Sequence, residues 1–427
     1  MSRYVYSLSD YRAVKKAKIE IDGITVLTGE NGRGKSTLSR VLYDITKVLT
    51  EYELLIDREA IKKIKEVVSS LRRIDGIILR RGIISMSEWE TKIRQASYHK
   101  DLTETAKYTI DAIKSYRPKL IEAFENAKTG TFLRKRLATL FSIENKEIDD
   151  LQLVENICQT LIDGVEKIVE TAEEKKVSRS RKVFLELLAN IDEELSIDIH
   201  CFNLSEDNIE MIERNRFNQL FTIKHAIYYK TYEVMEYLDN NSDFHSYLEE
   251  PIDKMTKEER LLSMRFRLIL SGGIDMDETL WGSKRFLYHR NDGLEIPLKQ
   301  AATGLISFAY LARLLENGYL RKDTLLIIDE PEAHLHPKWI VEYARMLVLV
   351  QKQLGVKIVL SSHNPDMIAA IDSISRKEGI ADRTNFYFAK ACEKDNFRYI
   401  FEKQDSIGEI FDSFNIALTR IEEYGED

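Results

Sequence analysis

The chain has 427 residues, 44% of them hydrophobic and 31% charged, with a formal net charge of −8. That length allows roughly two or three domains with a sizeable core, and the composition is that of a globular protein rather than a fibrous or low-complexity one. No apolar run approaches the ~20 residues of a membrane span, Met1-Ser2-Arg3-Tyr4 lacks the apolar stretch of a signal peptide, and the acidic balance argues against a globally basic nucleic-acid binder. Cys158, Cys201 and Cys392 lie far apart. They predict neither a disulfide framework nor a zinc site, and a reducing cytoplasm is the expected compartment.

In chain order, Lys18-Ile19-Glu20-Ile21 alternates, Asp22-Gly23 is a turn signal and Ile24–Leu27 is apolar, which predicts a hairpin. It leads into Gly29-Glu30-Asn31-Gly32-Arg33-Gly34-Lys35-Ser36, which fits the phosphate-binding pattern G-x-x-x-x-G-K-[ST] at every fixed position. A strand at Ile24–Thr28 before it and a helix from Thr37 after it are the context this motif needs. The glycines let successive N–H groups point into one concavity that suits phosphate oxygens. Lys35 would reach the β- and γ-phosphates, and the Ser36 hydroxyl would bind Mg²⁺. Tyr11 and Arg12, upstream, could flank an adenine.

From about residue 50 to about 265 the pattern is helical and strongly charged. Val154, Ile157, Leu161, Val165 and Ile168 recur at three- and four-residue steps, and Thr103–Phe124 and Phe184–Leu195 read similarly. No heptad persists, so a compact helical insertion is expected rather than a long coiled-coil arm. Breaks fall near Lys128-Thr129-Gly130 and at Asp239-Asn240-Asn241-Ser242. Basic runs at Arg72-Arg73, Arg80-Arg81, Arg134-Lys135-Arg136 and from Lys175 to Lys182 sit among acids and read as solvated helix faces. Asn145-Lys146-Glu147 hints at the guanine-reading motif N-K-x-D, but Ile148 breaks it.

Strand signals return after 265. Leu270-Ser271-Gly272-Gly273 mimics a transporter signature but reads as a turn entering a strand. A hairpin is predicted around Asn291-Asp292-Gly293, a helix over Leu305–Leu315, and a doubly buried strand at Leu325-Leu326-Ile327-Ile328. That strand ends in Asp329 and Glu330, where ligands bind in open α/β sheets. Asp329 fits a Mg²⁺-associated acid, and Glu330 fits a base that orients or deprotonates the attacking water. A helix from about Lys338 to Leu354 separates this strand from a second buried one, Lys357–Ser362, which ends in His363-Asn364-Pro365. A late hairpin (Asn385–Phe388 with Phe397–Ile400) and a helix from about Ser406 to Glu423 close the chain. His334 and His336 read as structural rather than metal-binding.

Together these segments resemble the ABC-type ATPases of the SMC-like and OLD-like group within the AAA family. Glu330-Pro331-Glu332-Ala333-His334-Leu335-His336-Pro337 looks like the E-P-E-x-H-L-H-P run of the OLD-like branch. Ser361-Ser362-His363-Asn364-Pro365 looks like its switch segment, and Ala302-Thr303-Gly304-Leu305-Ile306-Ser307-Phe308 looks like its degenerate signature. The likeness covers roughly residues 1–50 and 265–400. It implies an α/β fold, an ABC-type P-loop NTPase with a mixed or parallel sheet. The implied division is an N-lobe over 1–50, a helical insertion over 51–265 and a C-lobe over 266–427.

The resemblance implies ATP and Mg²⁺ as cofactors. Gly29, Glu30, Asn31, Gly32, Arg33, Gly34, Lys35, Ser36 and Thr37 would hold the nucleotide, Ser36 and Asp329 the metal, and Glu330 and His363 the chemistry. Thr303 and Gly304 would meet the γ-phosphate of another subunit, so a head-to-tail homodimer or higher oligomer is implied. OLD nucleases carry a Toprim domain with D-x-D spacing, and no D-x-D follows His363 here. The chain therefore resembles the stand-alone ATPase subunits of bacterial anti-phage systems of the Septu and PARIS types, which work with a separate effector such as a nuclease or toxin. The alternative is an SMC-like repair or recombination ATPase that clamps DNA. No membrane partner is expected.

Overall fold

The computed structural model describes residues 2–78, 87–125, 134, 139, 149–192, 199–230, 247–249, 251–278, 284–393 and 395–425. β1 (Tyr4–Tyr11) and β2 (Val14–Ile21) form an antiparallel hairpin, and β3 (Ile24–Thr28) leads into α1 (Lys35–Ile78). β4 (Phe202–Glu206), β5 (Ile209–Glu210) and β6 (His225–Lys230) come much later in the chain. They are followed by β7 (Gly272–Glu278), β8 (Lys284–Arg290), β9 (Glu295–Pro297), β10 (Thr324–Asp329), β11 (Lys357–Ser362), β12 (Thr384–Cys392) and β13 (Asp395–Gln404). Strands β7 to β9 make a small sheet with its hairpin at Asn291-Asp292-Gly293. The others make a ten-stranded sheet in the order β5-β4-β1-β2-β13-β12-β3-β11-β10-β6.

That sheet is mixed, as the expected α/β class requires. β12, β3, β11, β10 and β6 run parallel, β5, β4, β1 and β2 pair antiparallel in turn, and β13 joins the two sets, parallel to β2 and antiparallel to β12. Every residue of β3, β10 and β11 is buried, which is why these strands read as continuous apolar runs. Around them pack α6 (Lys257–Leu270), α7 (Thr303–Glu316), α8 (Pro337–Leu354) and α9 (Pro365–Glu378), all contributing to one core with β3, β10 and β11. Phe308 of α7 meets Trp339 and Tyr343 of α8 edge-on, at 5.1 and 5.0 Å between centroids. Burying such a ring contributes about 1.5–3 kcal/mol. The helix starts are capped locally. His336 accepts from the Lys338 N–H ahead of Pro337, and Asn364 accepts from the Met367 N–H ahead of Pro365, which places proline where its missing donor costs nothing.

Two expectations are corrected. Asp22-Gly23 does not close a hairpin, because β13 and β12 lie between β2 and β3. Instead the Gly23 carbonyl accepts from Ile358 at 2.8 Å and Asp22 accepts from the Asn385 side chain at 3.0 Å, so the link carries the chain past the starts of β11 and β12. The hairpin of this region is β1–β2. The helical reading of 51–265 also fails at β4, β5 and β6, which belong to the large sheet. The chain divides into two compact units, Met1–Thr50 with Leu188–Asp427, and Glu51–Leu187.

Within the second unit, α2 (Ser87–Tyr98), α3 (Leu102–Glu125) and α4 (Asp150–Ser178) follow the later part of α1 and precede α5 (Arg181–Ile191). Helical dihedrals break inside α1 at Glu51 (φ −118°, ψ 17°). Val68, Ile93, Ala112 and Tyr116 form a small core. Of the α4 stripe, Val154, Ile157, Leu161 and Val165 are buried and Ile168 is half-buried. Lys175 pairs with Glu59 and Glu186, and Lys176 with Asp57 and Glu173. These basic residues thus face acids of their own unit. The expected breaks at Lys128–Gly130 and Asp239–Ser242, the N-K-x-D decoy and Arg80-Arg81 lie outside the described residues.

Candidate nucleotide site

The loop Gly29–Gly34 joins the C-terminal end of β3 to the first turn of α1. Gly29 (φ 141°) and Gly34 (φ 90°) adopt dihedrals that side chains disfavour. A Cβ on Gly29 would lie 2.9 Å from the Ala389 Cβ, and one on Gly34 would lie 2.9 Å from the Val14 Cγ2. The loop is therefore held between β12 and β2. Arg33 fastens it further, donating to the Ala389 carbonyl at 2.9 Å, lying 5.4 Å from the Tyr399 ring centroid and pairing with Glu30. Asn31 and Gly32 are exposed at the tip, Ser36 is exposed and Thr37 half-buried in the first turn of α1.

Lys35 is buried, and its Nζ donates to the carbonyls of Gly29 (2.7 Å) and Glu30 (2.9 Å). Burial pulls its pKa below the usual lysine range, while Glu330, Asp329 and Glu332 pull it back up. The ammonium is thus folded against the loop, beside three acids.

Asp329 ends β10 between β11 and β6, paired in register with Ser361 and Lys230. Burial raises its carboxyl pKa, and the Ser36 and Ser361 hydroxyls and then Lys230 oppose that rise. Its Oδ2 accepts a long bond from the Tyr228 hydroxyl at 3.4 Å, and its Oδ1 has no hydrogen-bond partner. An orphaned buried carboxylate oxygen is costly, and a hard cation beside the Ser36 hydroxyl would satisfy it with oxygen ligands. The residues present therefore fit Mg²⁺ at Ser36 and Asp329. Among the described residues no group of three His, Cys, Asp or Glu could hold a metal ion.

Glu330 follows with a left-handed backbone (φ 52°) and donates its N–H to the Ser361 carbonyl at 2.9 Å. Such dihedrals cost about 1–3 kcal/mol and persist where the surroundings enforce them. His363, just past β11, is partly exposed; its Nδ1 lies 3.8 Å from a Glu330 oxygen and 3.7 Å from a Glu332 oxygen. Lys35, Asp329, Glu330 and His363 are thus gathered at the C-terminal ends of three adjacent parallel strands, β3, β11 and β10. A glycine loop of the phosphate-binding pattern, a buried acid and a more exposed acid beside an imidazole are groups of the kind that hold a nucleoside triphosphate, polarise it and accept a proton from water.

Thr303 opens α7 after Ala302, which supplies no side-chain cap, so the first-turn N–H groups of this helix lack that partner. A Cβ on Gly304 would lie 2.8 Å from the Leu335 Cδ2. The start of α7 therefore packs on the segment that follows Glu330. Tyr11 is buried with the Arg12 guanidinium 5.5 Å from its ring centroid, which leaves an adenine no open ring face there. Sequence reasoning gave no role to Tyr228, Lys230, Ser361 or Glu332. The first two sit on β6, whose only signal is the short run Ala226–Tyr229 inside a segment read as helical.

A family model described as the AAA ATPase domain matches residues 7–368. The Energy-coupling factor transporter ATP-binding protein EcfA2 of Clostridium perfringens is 36% identical over 72 residues, which cover 17% of this chain and 25% of that protein. EcfA3 of a second Clostridium perfringens strain matches to the same extent. The chain thus spans only a quarter of the length of these curated relatives. Among solved structures, the Pyrococcus furiosus Smc head domain with an extended coiled coil, bound to the C-terminal domain of ScpA, aligns at a TM-score of 0.35 and 11% identity, covering 99% of this chain and 100% of that one. The Smc head bound to the C-winged helix domain of ScpA aligns at 0.40 and 11%, covering 96% and 98%. Scores of this size carry no argument about function.

Proposed function

The chain belongs to the AAA ATPase domain family, and from that premise we propose that it is an ATPase of the ABC type whose ATP cycle is a switch controlling a separate effector, a nuclease or toxin, in anti-phage defence. The observation that carries the nucleotide part is the gathering of Lys35, Asp329, Glu330 and His363 around the loop at the ends of β3, β10 and β11. In this reading the loop N–H groups and Lys35 hold the phosphates, with Thr37 in the first turn of α1. Glu330 takes the proton of the attacking water, and His363 meets the γ-phosphate. Mg²⁺, held by Ser36 and Asp329, would neutralise phosphate charge. Positioning and charge neutralisation carry most of such a reaction.

The uncapped start of α7 at Thr303-Gly304 supports a composite site. Its N–H groups and the positive end of its dipole suit a partner subunit's γ-phosphate. ATP bound across two chains would then stabilise a head-to-tail dimer, and hydrolysis would release it. Among the described residues no helix is long and apolar enough to cross a membrane, and the cytoplasm is the compartment we infer.

Glu330→Gln tests this reading. The variant should bind ATP normally, hydrolyse it at least about 100-fold more slowly, and accumulate as an ATP-dependent dimer in light scattering. Turnover at the wild-type rate would remove Glu330 as the base. For the effector, co-purification with the product of a neighbouring gene, released on hydrolysis, is the expected result. Turnover stimulated by DNA, with no such protein bound, would favour a DNA clamp instead.

A further inference from the structure

Glu332 has no part in the reaction as assigned above, yet it is far more enclosed than Glu330 beside it. Its side chain is 4% exposed, against 31% for Glu330. The left-handed residues Glu330 and His334 bracket it (φ 52° and 62°), so the turn after β10 carries it inward. Its Oε1 accepts from the Ser362 hydroxyl at 2.8 Å and from the His363 N–H at 3.2 Å. Ser362 Oγ accepts in turn from the Asn364 N–H at 3.1 Å, and Asn364 caps α9 through the Met367 N–H. One buried carboxylate therefore anchors the whole turn that presents His363.

Two groups near Glu332 are unsatisfied. Its Oε2 has no hydrogen-bond partner, and neither has the His363 Nδ1. The ring nitrogen is almost equidistant from the two acids, 3.7 Å from Glu332 and 3.8 Å from Glu330. The enclosed acid should win that competition, since a buried partner is screened less by water. Contacts of this kind are commonly long without ligand and tighten as the reactive complex closes.

We propose that Glu332 is a positioning residue for His363. It holds the histidine's backbone N–H and accepts its Nδ1–H, which fixes the ring so that, with a second proton on Nε2 in the closed complex, Nε2–H donates to the phosphate, and Glu330 is left free for water. This rests on the reading of His363 as the residue that meets the γ-phosphate.

The test compares Glu332→Ala and Glu332→Gln, each alone and combined with His363→Ala, in steady-state ATP hydrolysis, with the His363 ring protonation read by long-range ¹H–¹⁵N NMR. Glu332→Ala should lower kcat by about tenfold or more with KM for ATP nearly unchanged. Glu332→Gln, which keeps an acceptor for the backbone N–H, should fall in between. In the His363→Ala background both should change kcat by less than about twofold, because coupled residues do not add. With a non-hydrolysable ATP analogue bound, His363 should carry a proton on both ring nitrogens in the wild type and on Nε2 alone in both Glu332 variants. An equal loss in both backgrounds, or an unchanged ring protonation, would overturn the proposal and leave Glu332 as packing. Should the alanine variant fold poorly, the glutamine variant carries the same comparison. If His363→Ala alone hydrolyses ATP at the wild-type rate, the γ-phosphate reading fails, while the ring protonation still decides whether Glu332 holds the ring.

Discussion

Lys35, Asp329 and Asp44 are buried ionisable groups, and burial disfavours the charged form of each. For Lys35 and Asp329 a nucleotide and a cation are the natural complement. Asp44, on the inner face of α1, has no such complement. Burial pushes its carboxyl up to about 7, with the nearby Arg40 guanidinium the largest opposing influence. Arg40 Nε stands 3.5 Å from Oδ2, and neither Asp44 oxygen has a hydrogen bond. The unfolded carboxyl loses its proton near pH 4, whereas the folded one keeps it to about 7. The folded state therefore binds more protons in that window, and stability should fall as pH rises from about 4 through 7. Asp44→Asn should flatten this slope in Tm measured from pH 5 to 8, and an unchanged slope would show that Asp44 does not set it. At this scale the motif residues were legible because phosphate chemistry fixes their spacing along the chain. Glu332 stood in the motif too, but its partners, Ser362 and His363, come from another strand.

Among the elements, β3, β10 and β11 were legible because a strand buried on both faces has no polar positions to interrupt it. β6 was not. Its run of Ala226–Tyr229 is too short to separate strand from helix by periodicity, yet it brings Tyr228 and Lys230 to Asp329. Asp22-Gly23 misled for a related reason: a turn signal reports local dihedrals, while pairing partners are chosen across the sheet. The junction of loop and α1 is a tight element-level constraint. Gly34→Val would combine a disfavoured φ with a contact on Val14 that has no room to give. It should weaken ATP affinity at least about tenfold in calorimetry, since either the loop or β2 must move by several tenths of an ångström. Unchanged affinity would mean that the loop is not held in this shape when it binds.

At the scale of the whole molecule, a composite site makes a prediction that a self-contained site does not. Lys35→Ala should abolish ATP binding by its own loop. Thr303→Asp keeps a residue suited to a helix start but sets a negative charge against a partner's phosphate. Neither variant alone should hydrolyse ATP. An equal mixture should recover about a quarter of the wild-type rate, since half the dimers are mixed and each has one intact site. No recovery on mixing would favour a site completed within one chain. The wider division of the chain was only half legible. Helical periodicity marked the unit Glu51–Leu187, whose amphipathic stripes are local in sequence. The return of the chain to the large sheet at β4–β6 was hidden, because those strands are short and their partners lie far away in sequence. Residue spacing was enough to name the loop, the two acids and the histidine, since each motif is written within a few consecutive positions. Which acid faces the histidine, which strand flanks Asp329 and where the helical unit ends depend on contacts between distant segments, and those exist only once the sheet has assembled.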